Sequence, residues 1–198
     1  MTRAPVVRAF SSSDLDGALA ANDAVGWTGR RVLFDYYAAR DDCALFVAEL
    51  DGEIVGTAGA TIFPGTPPTG WAHGIVVPPG QQRSGLGTRL TEAAIAWLHA
   101  RSAGAVLLLA TDAGRPVYER IGFVAGERYG SFAWPPTSAG GISADAISAG
   151  AISAGANVVI RPMRAGDLHA VYALDCAATG EDRRGFIKAL ASSGWVET

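Results

Sequence analysis

The chain has very little cysteine, one lysine and no long apolar run. Among 198 residues, Cys43 and Cys176 stand alone, with no close Cys or His spacing that would build a metal site. A structural metal is therefore not expected. The longest strongly apolar stretch, AVLLLA at residues 105–110, is too short to cross a bilayer. The opening MTRAPVVRAF has neither the apolar segment nor the small-residue cleavage site of a secretory signal, so the expected location is the cytoplasm, away from any membrane. A basic surplus is missing as well: sixteen Lys and Arg face nineteen Asp and Glu, for a net charge of -3, and the two signs are interspersed. That balance gives no general attraction for a polyanion, and no nucleic-acid partner is expected. Lys188 is the only lysine, a bias that excludes nothing by itself.

A hydrophobic content of 49% with 18% charge describes a globular chain long enough to bury a core. Residues 6–10 read as a short strand, and SSSDL supplies hydroxyl and carboxylate caps for a helix carrying Leu15, Ala18 and Leu19. A second helical stretch over residues 28–40 puts Val32, Leu33, Tyr36 and Tyr37 on one face. CALFVAEL and EIVGTAGATIF then flank Asp51-Gly52, a pair that tolerates positive φ, which predicts an antiparallel hairpin. PGTPPTG at 64–70 reads as loop, 71–79 as a strand stopped by two prolines, and 86–102 as a helix with Leu90, Ala94, Trp97 and Leu98 at helical spacing. VLLLAT at 106–111 predicts a buried strand, GRPVYERIG a short helix ended by Gly122, and FVAGERYGSFAW a last strand.

After Trp134 the composition changes. ISADA, ISAGA and ISAGA repeat in tandem within a Ser/Ala/Gly-rich stretch, far too short a period for a solenoid, which predicts a linker over 135–157. Beyond it, IRPMRAGDLHAVYALD echoes the start of the chain at an offset of 153 positions: Arg161 falls on Arg8, Met163 on Phe10, Asp167 on Asp14, Leu168 on Leu15 and Val171 on Ala18. Residues 158–198 thus resemble the opening of a second copy of the domain at 1–134. A strand at 158–163 without its own sheet would be an exposed edge, expected to pair with the first domain's sheet or with another subunit, as in a homodimer.

The chemistry concentrates in QQRSGLGTRL at 81–90, just where a helical pattern begins. Unpaired amides and the helix dipole make a helix N-terminus an anion site, the glycines admit a ligand to the main chain, and Arg83, Ser84 and Thr88 add donors. This suits a diphosphate. A nucleoside triphosphate loop needs Gly-Lys-Ser/Thr, which is absent; the dinucleotide pattern needs a third glycine where Leu90 stands, in a βαβ context the hairpin denies. With the strand, prolines, Gln82-Arg83-Ser84-Gly85-Leu86-Gly87, helix, strand and short helix in that order, the chain resembles the GNAT acetyltransferases, whose coenzyme A loop reads Gln/Arg-x-x-Gly-x-Gly/Ala. VYERIGF at 117–123 resembles the family's tyrosine-bearing helix, and the element order matches over 6–134.

The resemblance implies a mixed α+β acyl-CoA N-acyltransferase fold, with a twisted central sheet whose parallel strands, 75–77 and 106–110, splay apart. Pantetheine would lie in the opening beside Ile75, Val76 and Val77, and the diphosphate would meet the amides of Gln82, Arg83, Ser84, Gly85, Leu86, Gly87 and Thr88. It also implies acetyl-CoA as co-substrate, and direct transfer to the amine of a small molecule or peptide. Tyr118 corresponds to the residue that protonates the departing thiolate: a phenol of pKa about 10 can donate to a group of pKa about 8.5. An attacking amine must also lose a proton, and His73 is the best side-chain candidate, on the same strand and alternating in phase with Ile75 and Val77. A packed core role suits it equally well. Glu49 and Glu53 beside the turn are weaker candidates, and Trp27, Tyr36, Tyr37, Phe63 and Trp71 form an aromatic set able to line an acceptor pocket. A module that binds acyl-CoA without turnover stays open as a second reading.

Overall fold

The Asp51-Gly52 turn organises the sheet in the computed structural model, which describes residues 4–126, 128, 152–153, 159–161 and 163–192. Both turn residues take positive φ, 51° and 87°, the geometry whose twist matches that of the flanking strands. They join β2 (Cys43–Leu50) to β3 (Glu53–Phe63). With β1 (Val6–Ala9), β4 (Thr69–Val76) and β5 (Ala105–Leu107) these make a sheet of order β1-β2-β3-β4-β5. Every pairing is antiparallel except β4 with β5, which is parallel. The mixed α+β sheet is the expected one.

Strand alternation decides what covers each face. Val47 packs with Ala18 of α1 (Leu15–Asp23) and Phe34 of α2 (Arg31–Ala38), whereas its neighbour Ala48 packs with Leu86 and Leu90 of α3 (Leu86–His99). The first two helices therefore lie on one face and α3 on the other. On the α3 face the sheet offers small residues: Ala58 packs with Leu86 and Leu90, and Ala94 and Leu98 close down on Ala60 and Ala72. A short helix, α4 (Arg115–Arg120), follows β5.

Several elements are shorter than the sequence pattern predicts. The second helix occupies Arg31–Ala38 within the expected 28–40, and β4 begins at Thr69 and ends before Val77. The strand expected over 106–111 ends at Leu107, because β5 leaves β4 there and has no further ladder partner among the described residues. Residues 123–126 carry no strand, and the remainder of the expected last strand, apart from Arg128, lies outside the described residues, as does the 135–157 linker except at 152–153.

At the start of α1, Asp14 is buried and takes the Arg8 guanidinium in two hydrogen bonds of 2.7 and 2.8 Å, while accepting the Ser11 amide at 2.7 Å. Glu49 is held by the same arginine at 2.8 Å, which places this weaker base candidate in a structural ion pair. The hydrogen bond from Arg8 holds the Asp14 carboxyl down from 3.8 to about 2. A carboxyl with a depressed folded-state pKa stabilises the fold above its unfolded value and loses that contribution as the acid form fills. Asp14→Asn should therefore melt lower than wild type at pH 7, with the difference shrinking between pH 4 and pH 2; thermal melts across that range check it.

The chain divides into two compact units, Met1–Ala125 and Gly126–Thr198. Within the second, β6 (Ile152–Ser153) pairs antiparallel with β7 (Val159–Ile160), so the trailing strand finds a partner inside the tandem repeat; this corrects the expected pairing with the first domain's sheet. A single turn of 3-10 helix at Ala165–Asp167 leads into α5 (Leu168–Thr179), and α6 (Arg184–Ser192) follows. The offset of 153 holds throughout. It carries Val6 to Val159, the Ser12–Asp14 turn to Ala165–Asp167, Leu15 to Leu168 and Arg31 to Arg184, where α6 begins. Arg161 grips Asp167 at 2.6 and 2.7 Å, and the Arg164 amide donates to Asp167 at 2.7 Å, as the Ser11 amide does to Asp14.

Candidate active site

Pairing between β4 and β5 covers only Thr69 with Ala105, Gly70 with Val106 and Trp71 with Leu107. On its other edge β4 stays paired with β3 as far as Val76, opposite Thr57. From Ala72 onward β4 therefore presents a main-chain edge with no strand beside it among the described residues. A sheet that opens in this way leaves peptide groups in need of partners, which an extended amide-bearing ligand can supply.

The loop after β4 stands at the end of that edge. Pro79–Gln81 make one turn of 3-10 helix, and Gln82 folds back to donate its side-chain amide to the Val77 carbonyl at 3.0 Å. Ser84 gives its hydroxyl proton to the Gln81 carbonyl at 2.6 Å. Both side chains thus shape the loop from within. Arg83 (φ 62°) and Gly85 (φ 79°) turn the chain into α3, Gly85 acting as its N-cap. A Cβ at Gly85 would meet nothing within 4 Å, so the demand for glycine there comes from the left-handed backbone. No amide of residues 83–88 donates to another backbone group among the described residues. Leu86 is buried and fixes the helix start. The donor set of amides, the Arg83 guanidinium and the Thr88 hydroxyl fits a diphosphate, and the unpaired β4 edge fits pantetheine.

Tyr118 sits on α4, at the far end of the segment that leaves β5. Its ring is buried, edge-on to Phe123 at 6.1 Å, and wedged against Gly114, where a Cβ would come within 2.9 Å of the ring. The hydroxyl has no hydrogen-bond partner among the described residues. Burial pushes its pKa above 10, so it holds its proton firmly at neutral pH.

His73 lies elsewhere than strand alternation implies. Between Thr57–Val76 and Gly59–His73 the register slips, with one extra residue on β4 at Gly74, which takes φ 59°. This bulge inverts the phase of the strand. Ile75 and Val77 pack against the α3 face, while His73 faces α2, its ring 4.4 Å from that of Tyr37. The expected in-phase alternation of His73 with Ile75 and Val77 is corrected accordingly. A buried chain pins the bulge: Asn22 donates to Thr57 at 3.2 Å, and Thr57 donates to the Gly74 carbonyl at 3.1 Å. His73 lies flat over Gly59, where a Cβ would fall 2.4 Å from the ring, and its Nε2 is 2.9 Å from the Thr61 hydroxyl. Burial lowers its pKa from 6.5 to about 4, so the ring is neutral at neutral pH.

The sequence reading missed Asn22, Thr57, Gly59 and Thr61. Glycines inside the strand patterns TAGAT and AHGI were the available signal, since a glycine within a strand marks a bulge or a close approach. Of the aromatic set, Tyr36, Tyr37 and Trp71 gather on the His73 face, with Tyr36 edge-on to Tyr37 at 5.3 Å, whereas Trp27 stacks under Arg30 at 4.7 Å.

Comparison with known proteins gives three findings. The model of the acetyltransferase (GNAT) family matches residues 18–123. No curated protein matches the chain. Many solved structures share the fold. An acetyltransferase of Trypanosoma brucei is 22% identical and aligns over 66% of this chain and all of its own, with a TM-score of 0.59. A glucosamine-6-phosphate N-acetyltransferase of Arabidopsis thaliana is 18% identical, over 67% and 99% of the two chains, with a TM-score of 0.59. A predicted acetyltransferase of Clostridium acetobutylicum, solved with acetyl-CoA, is 16% identical over 66% and 96%, with a TM-score of 0.57.

Proposed function

Because the chain belongs to the GNAT acetyltransferase family, we propose that acetyl transfer proceeds by direct attack of an amine in a ternary complex, with Tyr118 as general acid and His73 receiving the amine's proton. The protein is an acetyl-CoA-dependent N-acetyltransferase. One observation supports the placement of the site: β4 loses its β5 neighbour at Trp71, and the unpaired edge leads to the unbonded amides of residues 83–88.

Acetyl-CoA supplies the acetyl group as an activated thioester. The β4 edge beside Ile75, Val76 and Val77 orients it, and the amides of residues 83–88 with Arg83 and Thr88 hold its diphosphate at the positive end of α3. Gln82 and Ser84 keep the loop in shape. As the carbon–sulfur bond breaks, the Tyr118 hydroxyl gives its proton to the sulfur, a donation matched to the thiol left behind. The tyrosinate is then reprotonated from water. In the tautomer that donates Nε2–H to Thr61, His73 carries its lone pair on Nδ1 and is ready to accept.

Mixing the protein with coenzyme A at about 100 times its dissociation constant should stabilise it by about 2.7 kcal/mol, readable as a rise in Tm. Thiol release from acetyl-CoA should require an added amine. A shift without amine-dependent thiol release would favour the rival reading, a module that binds acyl-CoA without turnover, and no shift would remove both.

We read the second unit as the opening β–α–α segment of a second copy of the domain. Support comes from the constant offset and the repeated Arg–Asp cap. No helix among the described residues is long and apolar enough to cross a membrane.

A further inference from the structure

Around the Gly74 bulge, the described residues on the α2 face of the sheet carry rings and little available charge. His73 and Tyr37 stack at 4.4 Å with their planes 32° apart, Tyr36 meets Tyr37 edge-on, and Trp71 is the next residue of β4 on the same face. Behind them runs a line of polar contacts from His73 to Thr61 (2.9 Å), from Thr61 to the Cys43 thiol (3.5 Å) and from Cys43 to the Asp42 carboxylate (3.4 Å). That carboxylate is already taken by Arg40, through two guanidinium hydrogen bonds. Among the described residues the groups around His73 are thus uncharged: Tyr37 of α2 on its ring with Tyr36 beyond, and the Thr61 hydroxyl of β3 at its Nε2 with the Cys43 thiol of β2 beyond. Burial raises the phenols, Tyr36 to about 12, and the thiol to about 11, so none carries charge at neutral pH. The cations nearby are Arg40, over the Tyr36 ring at 5.2 Å, and Arg30, whose charge is felt at Tyr37.

We propose that this ring-lined, carboxylate-poor face of β4 is the acceptor site, and that it selects a weakly basic amine of the α-amino type, next to a carbonyl and borne on an aromatic or apolar side chain. The inference rests on the acetyl-transfer reading above. A polycation would meet the Arg30 charge at Tyr37 and an Asp42 carboxylate already held by Arg40, whereas a carbonyl beside the amine suits Arg30. Aromatic rings favour an aromatic neighbour. An amine can attack only when neutral, and a buried, weakly basic histidine receives a proton readily only from an ammonium of low pKa. An α-amino group titrates near 7.7–8.0 and an alkylamine such as the lysine side chain near 10.4, so at pH 7 the former has roughly 300 times the neutral fraction.

The test is acetyl-CoA turnover with matched acceptors: L-phenylalaninamide, phenethylamine, glycinamide, spermidine and a peptide beginning with phenylalanine. At pH 7, kcat/KM for phenylalaninamide should exceed that for phenethylamine about 100-fold, with the gap shrinking about tenfold by pH 9. It should exceed that for glycinamide about tenfold, and Tyr37→Leu should close that second gap; Tyr36→Leu serves if the first variant does not fold. Turnover of the amide alone assigns a small acceptor, and faster turnover of the peptide assigns a chain terminus. Phenethylamine or spermidine matching phenylalaninamide at pH 7, or a gap independent of pH, would overturn the proposal. Turnover of none of these acceptors, with the coenzyme A thermal shift intact, would overturn the acceptor class and leave the coenzyme site standing. Loss of the shift would instead overturn the acetyl-transfer reading beneath it.

Discussion

Replacing Tyr118 with phenylalanine should lower kcat about 100-fold and change KM for acetyl-CoA less than threefold, measured by thiol release at saturating amine. The size follows from the role. A positioned proton donor contributes typically 10²- to 10⁴-fold, and water can partly replace it where the site is not sealed. The isosteric ring keeps the contact with Phe123 and the seat beside Gly114, so the fold should hold, and the coenzyme A thermal shift should match that of wild type. A binding residue would raise KM instead. The loss should also depend on the leaving group: a thioester of a more acidic thiol needs less protonation and should narrow the difference between variant and wild type. An unchanged kcat would remove Tyr118 from the chemistry.

Gly87→Glu should raise the coenzyme A dissociation constant at least 100-fold while the free protein becomes more stable. Gly87 is the second residue of α3, and a Cβ there would lie 3.9 Å from Val77, an ordinary contact. A glutamate in the first turn of a helix adds about 0.3–1 kcal/mol through the dipole, and exchanging a helical glycine for a better helix former adds up to about 1 kcal/mol. The same carboxylate would stand in the proposed diphosphate site. Two unit charges 4 Å apart repel by about 1 kcal/mol in water and about 4 kcal/mol at an effective dielectric of 20, and about 2.7 kcal/mol corresponds to 100-fold. Gly87→Ala separates charge from shape, and should bind coenzyme A nearly as well as wild type. A glutamate variant that binds normally would place the diphosphate elsewhere.

Much of this was readable from the residues. Asp51-Gly52 announced its hairpin because few pairs tolerate two successive positive φ values, and the glycines of the loop at 81–90 announced the turn that starts α3. Local chemistry sufficed for both. His73 was different: its placement depends on one extra residue at Gly74, and a single-residue slip moves every later side chain to the other face. Periodicity cannot register such a slip without knowing the partner strand. The end of β5 at Leu107 was hidden for a related reason, since VLLLAT is apolar well past the point where its ladder stops. The partner of the trailing strand was hidden as well, because a Ser/Ala/Gly repeat gives no alternation to mark Ile152–Ser153 as its neighbour. The duplicated Arg–Asp cap, by contrast, could be aligned by eye from IRPMRAGDL.

A crystal structure of the protein with acetyl-CoA would test the coenzyme's placement most directly. The pantetheine arm should run along β4 beyond Trp71, on the side that β5 vacates, with main-chain hydrogen bonds near Val76, the diphosphate within 3.2 Å of amides of residues 83–88 and the sulfur facing Tyr118. Electron density for the coenzyme away from that edge, or β5 continuing its ladder with β4 past Leu107, would contradict it.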